Sequence, residues 1–234
     1  MHRCYASRSG AERGVLGKQI EALSGYTRFP ALALDMPGHG GSSGEAMTSM
    51  EDCADFVSGF CLQAGILNPI LIGHSMGGRI AQIIALGGEV KPLACMLVAT
   101  GVRIRVSRWS LKTVRNNYEN FCVTAAQNAF ASGANGRTRD VFLRRLLAQA
   151  PQSVYNDLLA CDNFDISDLV GRIDVPTVIV AGSDDVLTPA KHTNFLHSKI
   201  KGSKLFVIEG AGHFMMMEKP DEFNKTVFDF LNLL

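Results

Sequence analysis

The stretch "IGHSMGG" at residues 72 to 78 sets Ser75 between Gly73 and Gly77, a glycine two positions away on each side. A serine hydroxyl becomes a useful nucleophile when a base takes its proton and a donor stabilises the oxyanion that its attack creates. Six histidines could supply the base: His2, His39, His74, His192, His197 and His213. His213 has a distinctive setting, because "EGAGHFMMMEKP" puts it on a glycine-rich loop directly after an apolar run. His39 lies in the turn-rich "DMPGHGGSSG", while His192 and His197 follow Pro189 in a helix-like segment. His74 precedes the serine on an extended run, so its side chain should point away from that of Ser75. A carboxylate to orient the base is offered by Asp184 and Asp185 in "VIVAGSDDVLTP".

These groups need elements to hold them. "NPILIGH" is short and rich in Ile and Leu, and reads as a strand buried on both faces. "GGRIAQIIALGGE" has apolar residues at 80, 83, 84 and 86 and reads as a helix that Gly87 and Gly88 end. Ser75 then falls on a sharp strand-to-helix turn, where a Cβ two positions away would strike neighbouring backbone and glycine removes the collision. The Met76 N–H opens the helix among unpaired donors that favour negative charge. Further strands are expected at 29–35, 93–100, 175–182 and 204–210. A helix over 47–65 has Thr48 or Ser49 to cap it and Glu51 and Asp52 in its first turn. The closing "DEFNKTVFDFLNLL" is amphipathic, with Phe223, Val227, Phe230 and Leu231 on one face. Strand-helix alternation predicts a mostly parallel, doubly wound α/β sheet, with sites at the carboxyl ends of its strands.

Residues 101–167 break that alternation. The helical runs "SLKTVRNNYENFCVTAAQNAFA" and "RTRDVFLRRLLAQA" are divided by Gly133, Gly136 and Pro151, with no convincing strand. The division expected is a core of 1–100 and 168–234 with a helical insertion at 101–167. The insertion carries nine Lys or Arg against five Asp or Glu. A site preferring anionic acyl groups would use such residues, but a solvated helix surface is the reading favoured here. Met215, Met216 and Met217, with Trp109, Phe121, Phe130 and Phe164, could line an adaptable apolar pocket, although helical spacing favours the core for most of them.

At 234 residues and 47% hydrophobic content the chain suits one α/β domain with an insertion. A net charge of +1 argues against nucleic acid as a partner. No run approaches the ~18 apolar residues of a membrane span, and "MHRCYASRSGAERG" lacks the apolar core of a secretory signal. Six scattered cysteines without a C-x-x-C pair read as reduced, mostly buried thiols of a cytoplasmic protein.

The G-x-S-x-G turn in this strand-helix context resembles the nucleophile elbow of the α/β-hydrolase family, and the resemblance extends over residues 15–234. It implies an insertion after the sixth strand of the family's sheet that caps the active site. It implies the catalytic histidine in a Gly-Ala-Gly-His loop after the last strand, which matches His213. The family's acid follows a pattern of strand, glycine, two residues, aspartate, then proline four residues on. That selects Asp185, with Gly182 and Pro189, and leaves Asp184 as the fallback. The order Ser75, Asp185, His213 is the family's order. An Asp-x-Pro-Gly-His-Gly-x-Ser loop is structural in the family, which makes His39 structural. The implied activity is hydrolysis of a carboxylic ester, thioester or related C–C bond of a small to medium apolar acyl substrate, with no cofactor and no metal. Dehalogenases and epoxide hydrolases of this family carry Asp at the elbow, which Ser75 argues against. A receptor-like binding protein and a catalytically impaired member are the alternatives.

The first 14 residues depart from the family. Others begin with an antiparallel hairpin and then a strand ending in His-Gly, whose loop gives the second oxyanion donor. Here "HRCYA" aligns with the strand and "SRSG" with the loop, Ala6-Ser7 replaces His-Gly, and no hairpin precedes them. The expectations are about six strands and a second donor at the backbone N–H of Ser7 or Arg8, paired with Met76. The 29–35 strand would be a bare edge. Either a second copy covers it in a homodimer, or the chain is a shortened form of a longer product.

Overall fold

The computed structural model describes residues 3–6, 13–25 and 30–234. In chain order it comprises β1 (Arg3–Ala6), a 3-10 turn (Arg13–Leu16), α1 (Gly17–Ser24), β2 (Ala31–Leu34), α2 (Met50–Gln63), β3 (Ile70–His74), α3 (Met76–Leu86) and β4 (Ala94–Val98). Four consecutive helices follow: α4 (Arg108–Asn116), α5 (Tyr118–Asn128), α6 (Gly136–Leu147) and α7 (Pro151–Asn163). After a second 3-10 turn (Val170–Arg172) come β5 (Thr177–Gly182), α8 (Ala190–Lys199), β6 (Lys204–Ile208), α9 (Met215–Glu218) and α10 (Pro220–Asn232). Among the described residues the six strands form one sheet in the order β2-β1-β3-β4-β5-β6. Every neighbouring pair is parallel, with Cys4 opposite Leu71, Leu71 opposite Cys95 and Leu97 opposite Ile179. The "HRCYA" strand expected from the sequence is β1.

The apolar runs read as doubly buried strands are buried at every position of β3, β4 and β5. Their alternation explains why. Ile70, Ile72, Met96, Val98, Val178 and Val180 enter the core cluster on one face, beneath α1, α10 and the four-helix segment. Leu71, Cys95, Leu97 and Ile179 enter the cluster on the other face, with Val57 of α2, Ile80 of α3 and Leu196 of α8. Parallel strands need both faces covered, and helices on both sides provide the cover. The strand order reverses between β1 and β3, and a crevice at the carboxyl ends of strands opens at such a reversal.

The elements begin where capping side chains stand. Ser49 Oγ accepts the Asp52 N–H at 3.1 Å and starts α2. The run expected to be one helix across 110–131 is two. Asn117 ends α4 and its side-chain oxygen accepts the Asn120 N–H at 3.1 Å, starting α5. An asparagine cap contributes about 1 kcal/mol, enough to redirect a polar stretch without changing its periodicity. Gly136, read as a divider, is the first residue of α6, because Asn135 caps from one position earlier. Pro151 opens α7.

These four helices form a cap over the sheet's carboxyl edge, latched to the core through α7. His39 Nε2 lies 2.9 Å from the Asp157 carboxylate, with both side chains buried. Ser153 Oγ donates to the Gly38 carbonyl at 3.0 Å and Asn156 Nδ2 to that of Ala46 at 2.8 Å. The loop carrying His39 wraps Asp35, which accepts the Gly41 N–H at 3.1 Å. Gly40, at φ 53°, passes so close that a Cβ there would lie 2.5 Å from the Asp35 carboxylate. His39 is thus a link between cap and core, as its structural reading anticipated.

β2 stands at the sheet's edge, with Leu32 exposed. Cys53, Cys61, Cys95, Cys122 and Cys161 are buried without a disulfide. Burial pushes the Cys53 and Cys95 thiols up to about 12. No described helix is long and apolar enough to cross a membrane.

Candidate active site

Ser75 links the end of β3 to the start of α3 with φ 53° and ψ −112°. A serine in this sparsely populated region costs about 1–3 kcal/mol and persists only where its surroundings hold it. Hydrogen bonds on both sides of the residue do so, among them a long one of 3.4 Å from the Arg79 N–H to the Ser75 carbonyl. The Ser75 N–H donates to Val98 of β4 at 2.8 Å, and its carbonyl accepts the Gly78 N–H at 3.0 Å. Thr100 Oγ1 donates to the same carbonyl at 2.7 Å. The glycine requirement is visible as contact: a Cβ on Gly73 would lie 2.2 Å from the Gly77 carbonyl oxygen. A Cβ on Gly78 would lie 2.6 Å from Thr100. Met76 is the first residue of α3, and its N–H belongs to the first helical turn, where no intrahelical acceptor exists.

His213 sits on the loop after β6, and its Nδ1 is 2.8 Å from Asp185 Oδ2, with each side chain 1% exposed. Asp185 lies on the loop after β5. Its other oxygen accepts the N–H groups of Leu187 at 2.9 Å and Thr188 at 2.8 Å. Burial alone would raise the Asp185 pKa, but the charge and hydrogen bond of His213 and the two backbone donors outweigh it and hold the carboxyl below its usual value. Asp184 is exposed and takes the Ser183 hydroxyl at 2.8 Å, away from His213. The two loops are tied directly. Asp184 N–H donates to the Ala211 carbonyl at 3.0 Å, and Gly210 N–H donates to Ser183 Oγ at 2.7 Å. A Cβ on Gly182 would sit 2.3 Å from the Ala211 oxygen, so glycine is required where the loops cross.

Two supports of His213 went unread in the sequence. His74 is not remote from the site: its Nε2 donates to the His213 carbonyl at 2.9 Å, and the two rings lie 4.7 Å apart. Glu218 accepts the Gly212 N–H at 2.9 Å and the Ala131 N–H at 3.0 Å, tying the histidine loop to the cap. Burial, only partly offset by those two donors, raises the Glu218 pKa.

Ser75 and His213 open into one cavity of about 420 Å³ beneath the cap. Its walls are mainly apolar, with Trp109, Phe121, Phe142, Leu146 and Leu158 from the cap and Leu187 from the core. Of the aromatic and Met candidates, Trp109 and Phe121 line it. Phe130, Phe164, Met215 and Met216 belong to the packed cores. Arg105 is the cap's one basic residue on this lining, and Arg79 of α3 also reaches it. The Ser7 and Arg8 backbone, expected to give a second oxyanion donor, lies outside the described residues. Among those residues no group of three or more His, Cys, Asp or Glu side chains is arranged to hold a metal ion.

The pattern of the alpha/beta hydrolase family matches residues 13–226. The solved structure of a thermophilic esterase is 32% identical, superimposes with a TM-score of 0.86, and is matched over 98% of this chain and 88% of that one. A pimeloyl-acyl carrier protein methyl ester esterase of Neisseria meningitidis is 27% identical over 240 residues, covering 95% of this chain and 74% of the relative. The enol-lactonase of Burkholderia xenovorans LB400, at 22% identity, shares the fold with a TM-score of 0.91 over 99% of this chain and 91% of its own. With its parallel sheet, strained serine turn and helical cap, the chain belongs to the alpha/beta hydrolase family.

Proposed function

We propose that the protein is a serine hydrolase that cleaves a carboxylic ester of a small to medium acyl group through an acyl-enzyme. The observation that carries this reading is the strained Ser75, opening into the same cavity as a histidine whose far nitrogen is held by a buried carboxylate. In the proposed cycle His213 Nε2 takes the Ser75 proton as Oγ attacks the ester carbonyl. Asp185 fixes the tautomer with the proton on Nδ1 and stabilises the imidazolium. The Met76 N–H, with a second donor near Ser7 or Arg8, receives the oxyanion. His213 gives its proton to the departing alcohol. A water molecule, deprotonated by the same nitrogen, then releases the acid and restores Ser75. The segment 101–167 acts as the cap that encloses the acyl group. The relatives support an oxygen ester over a thioester or C–C bond, since one is named a methyl ester esterase and another an esterase. The test is turnover of p-nitrophenyl butanoate by wild type and Ser75→Ala. The wild type should hydrolyse it and the variant should fall to background. Residual turnover above a few per cent, in a preparation free of other esterases, counts against Ser75.

A further inference from the structure

Arg79 is a charge in an unusual place. It lies on α3 one turn after Ser75 and is 4% exposed. Nη1 donates to the Cys161 carbonyl at 2.7 Å, and the guanidinium carbon lies 5.7 Å from the Phe164 ring centre. These contacts satisfy one N–H and one face. They supply no opposite charge, and among the described residues Nε has no hydrogen-bond partner and no carboxylate pairs with the guanidinium. A buried cation without a counter-charge is costly, and proteins retain one where something else completes it. The cavity wall to which Arg79 contributes holds a second guanidinium, Arg105, and no aspartate or glutamate.

We infer that this cavity takes esters whose acyl chain ends in a carboxylate, with Arg79 as the residue that binds it. The inference rests on the serine-hydrolase reading and names its substrate class. The guanidinium N–H groups beyond the one held by Cys161 match a carboxylate through charge-assisted hydrogen bonds. One helical turn separates Arg79 from Ser75, about 6 Å along the helix axis. Both residues line the one cavity, and half-esters of short dicarboxylic acids are the substrates that would reach from one to the other. The apolar walls pack the methylenes between the two ends. The basic residues of the cap keep their surface reading, most of them being exposed, and the arginine that matters here comes from α3.

The experiment compares monomethyl glutarate with methyl pentanoate, which have the same chain length and differ in the terminal group, by methanol release. The wild type should favour the half-ester in kcat/KM by at least about tenfold, which one charge-assisted hydrogen bond can supply. Arg79→Met should bring the ratio towards one, with Arg79→Lys between. A ratio near one in the wild type, or an unchanged ratio in Arg79→Met, overturns the inference. If Arg79 only tethers Cys161, both esters should slow together and the ratio should stay. A binding arm separates this inference from the reading beneath it. Calorimetry with Ser75→Ala should detect monomethyl glutarate, and Ser75→Ala combined with Arg79→Met should not, at matched melting temperature. Equal binding by the two refutes the anion site whatever the nucleophile proves to be. Loss of binding with the arginine upholds it even if Ser75 fails as nucleophile.

Discussion

Replacing Asp157 with alanine should loosen the cap in a way that depends on pH. Asp157 and His39 face each other at 2.9 Å with 3% and 4% of their side chains exposed. The other ring nitrogen of His39 lies 3.0 Å from the Pro37 carbonyl. A ring with an acceptor at each nitrogen is best satisfied as the doubly protonated cation. Burial pulls the His39 pKa down, but the hydrogen bond and charge of Asp157, with Pro37 and Asp35, outweigh it, and the folded-state value is raised. The unfolded value is about 6.5. Below that pH the pair contributes fully, and its contribution fades as pH rises through the folded value. Removing one partner of a buried pair costs about 3–5 kcal/mol. For a chain of this size each kcal/mol shifts Tm by about 2–4 °C, so even the lower figure gives about 6–12 °C at pH 6. At pH 9 more of His39 is neutral, and as the neutral form takes over the loss falls towards that of one ordinary hydrogen bond, about 1 kcal/mol or 2–4 °C. Thermal unfolding of wild type and Asp157→Ala at both pH values, followed by circular dichroism, measures the two gaps. A gap that is equal at both, or wider at pH 9, would refute the charged-pair argument.

Asp185→Asn presents the wrong partner to His213 Nδ1 and should lower kcat on the order of 10⁴-fold, with Asp184→Asn nearly silent; steady-state hydrolysis of p-nitrophenyl butanoate ranks them, and the reverse order would move the acid by one residue. Gly73→Ala places a Cβ 2.2 Å from backbone that cannot yield, so it should lower Tm and activity together, whereas Gly59→Ala, with nothing within 4 Å, should do neither.

The sequence exposed the sheet because its interior strands have no polar alternation to misread: "ILIGH", "ACMLV" and "TVIVAG" are apolar except for His74 and Thr177 at their ends, and buried throughout. The serine turn was legible because glycine marks the positions where backbone passes backbone, as Gly73 and Gly182 do. The choice of Asp185 over Asp184 came from family spacing, and the structure brings Asp185 to His213 while leaving Asp184 at the surface. What escaped was whatever depends on distant partners. Asn117 divides a helical run through its own side chain, which periodicity does not register. Glu218 braces Gly212 and Ala131, and the second partner lies 87 residues away in the chain. Thr100 holds the Ser75 carbonyl from a neighbouring strand's end. His74 was read from strand alternation alone, which fixes a side and not the neighbours found there. Arg79 had a faint local signal, a charge directly before the apolar stripe of α3, but only burial and the missing counter-charge give it meaning.

The central claim is that Ser75 is an activated nucleophile. A fluorophosphonate probe reacts with such a hydroxyl without knowledge of the substrate, and mass spectrometry of the digested adduct locates the phosphorus. The account predicts stoichiometric labelling on the peptide containing Ser75, abolished in Ser75→Ala and strongly slowed in His213→Ala. A wild-type protein that folds and stays unlabelled, or carries the label on another residue, would contradict it.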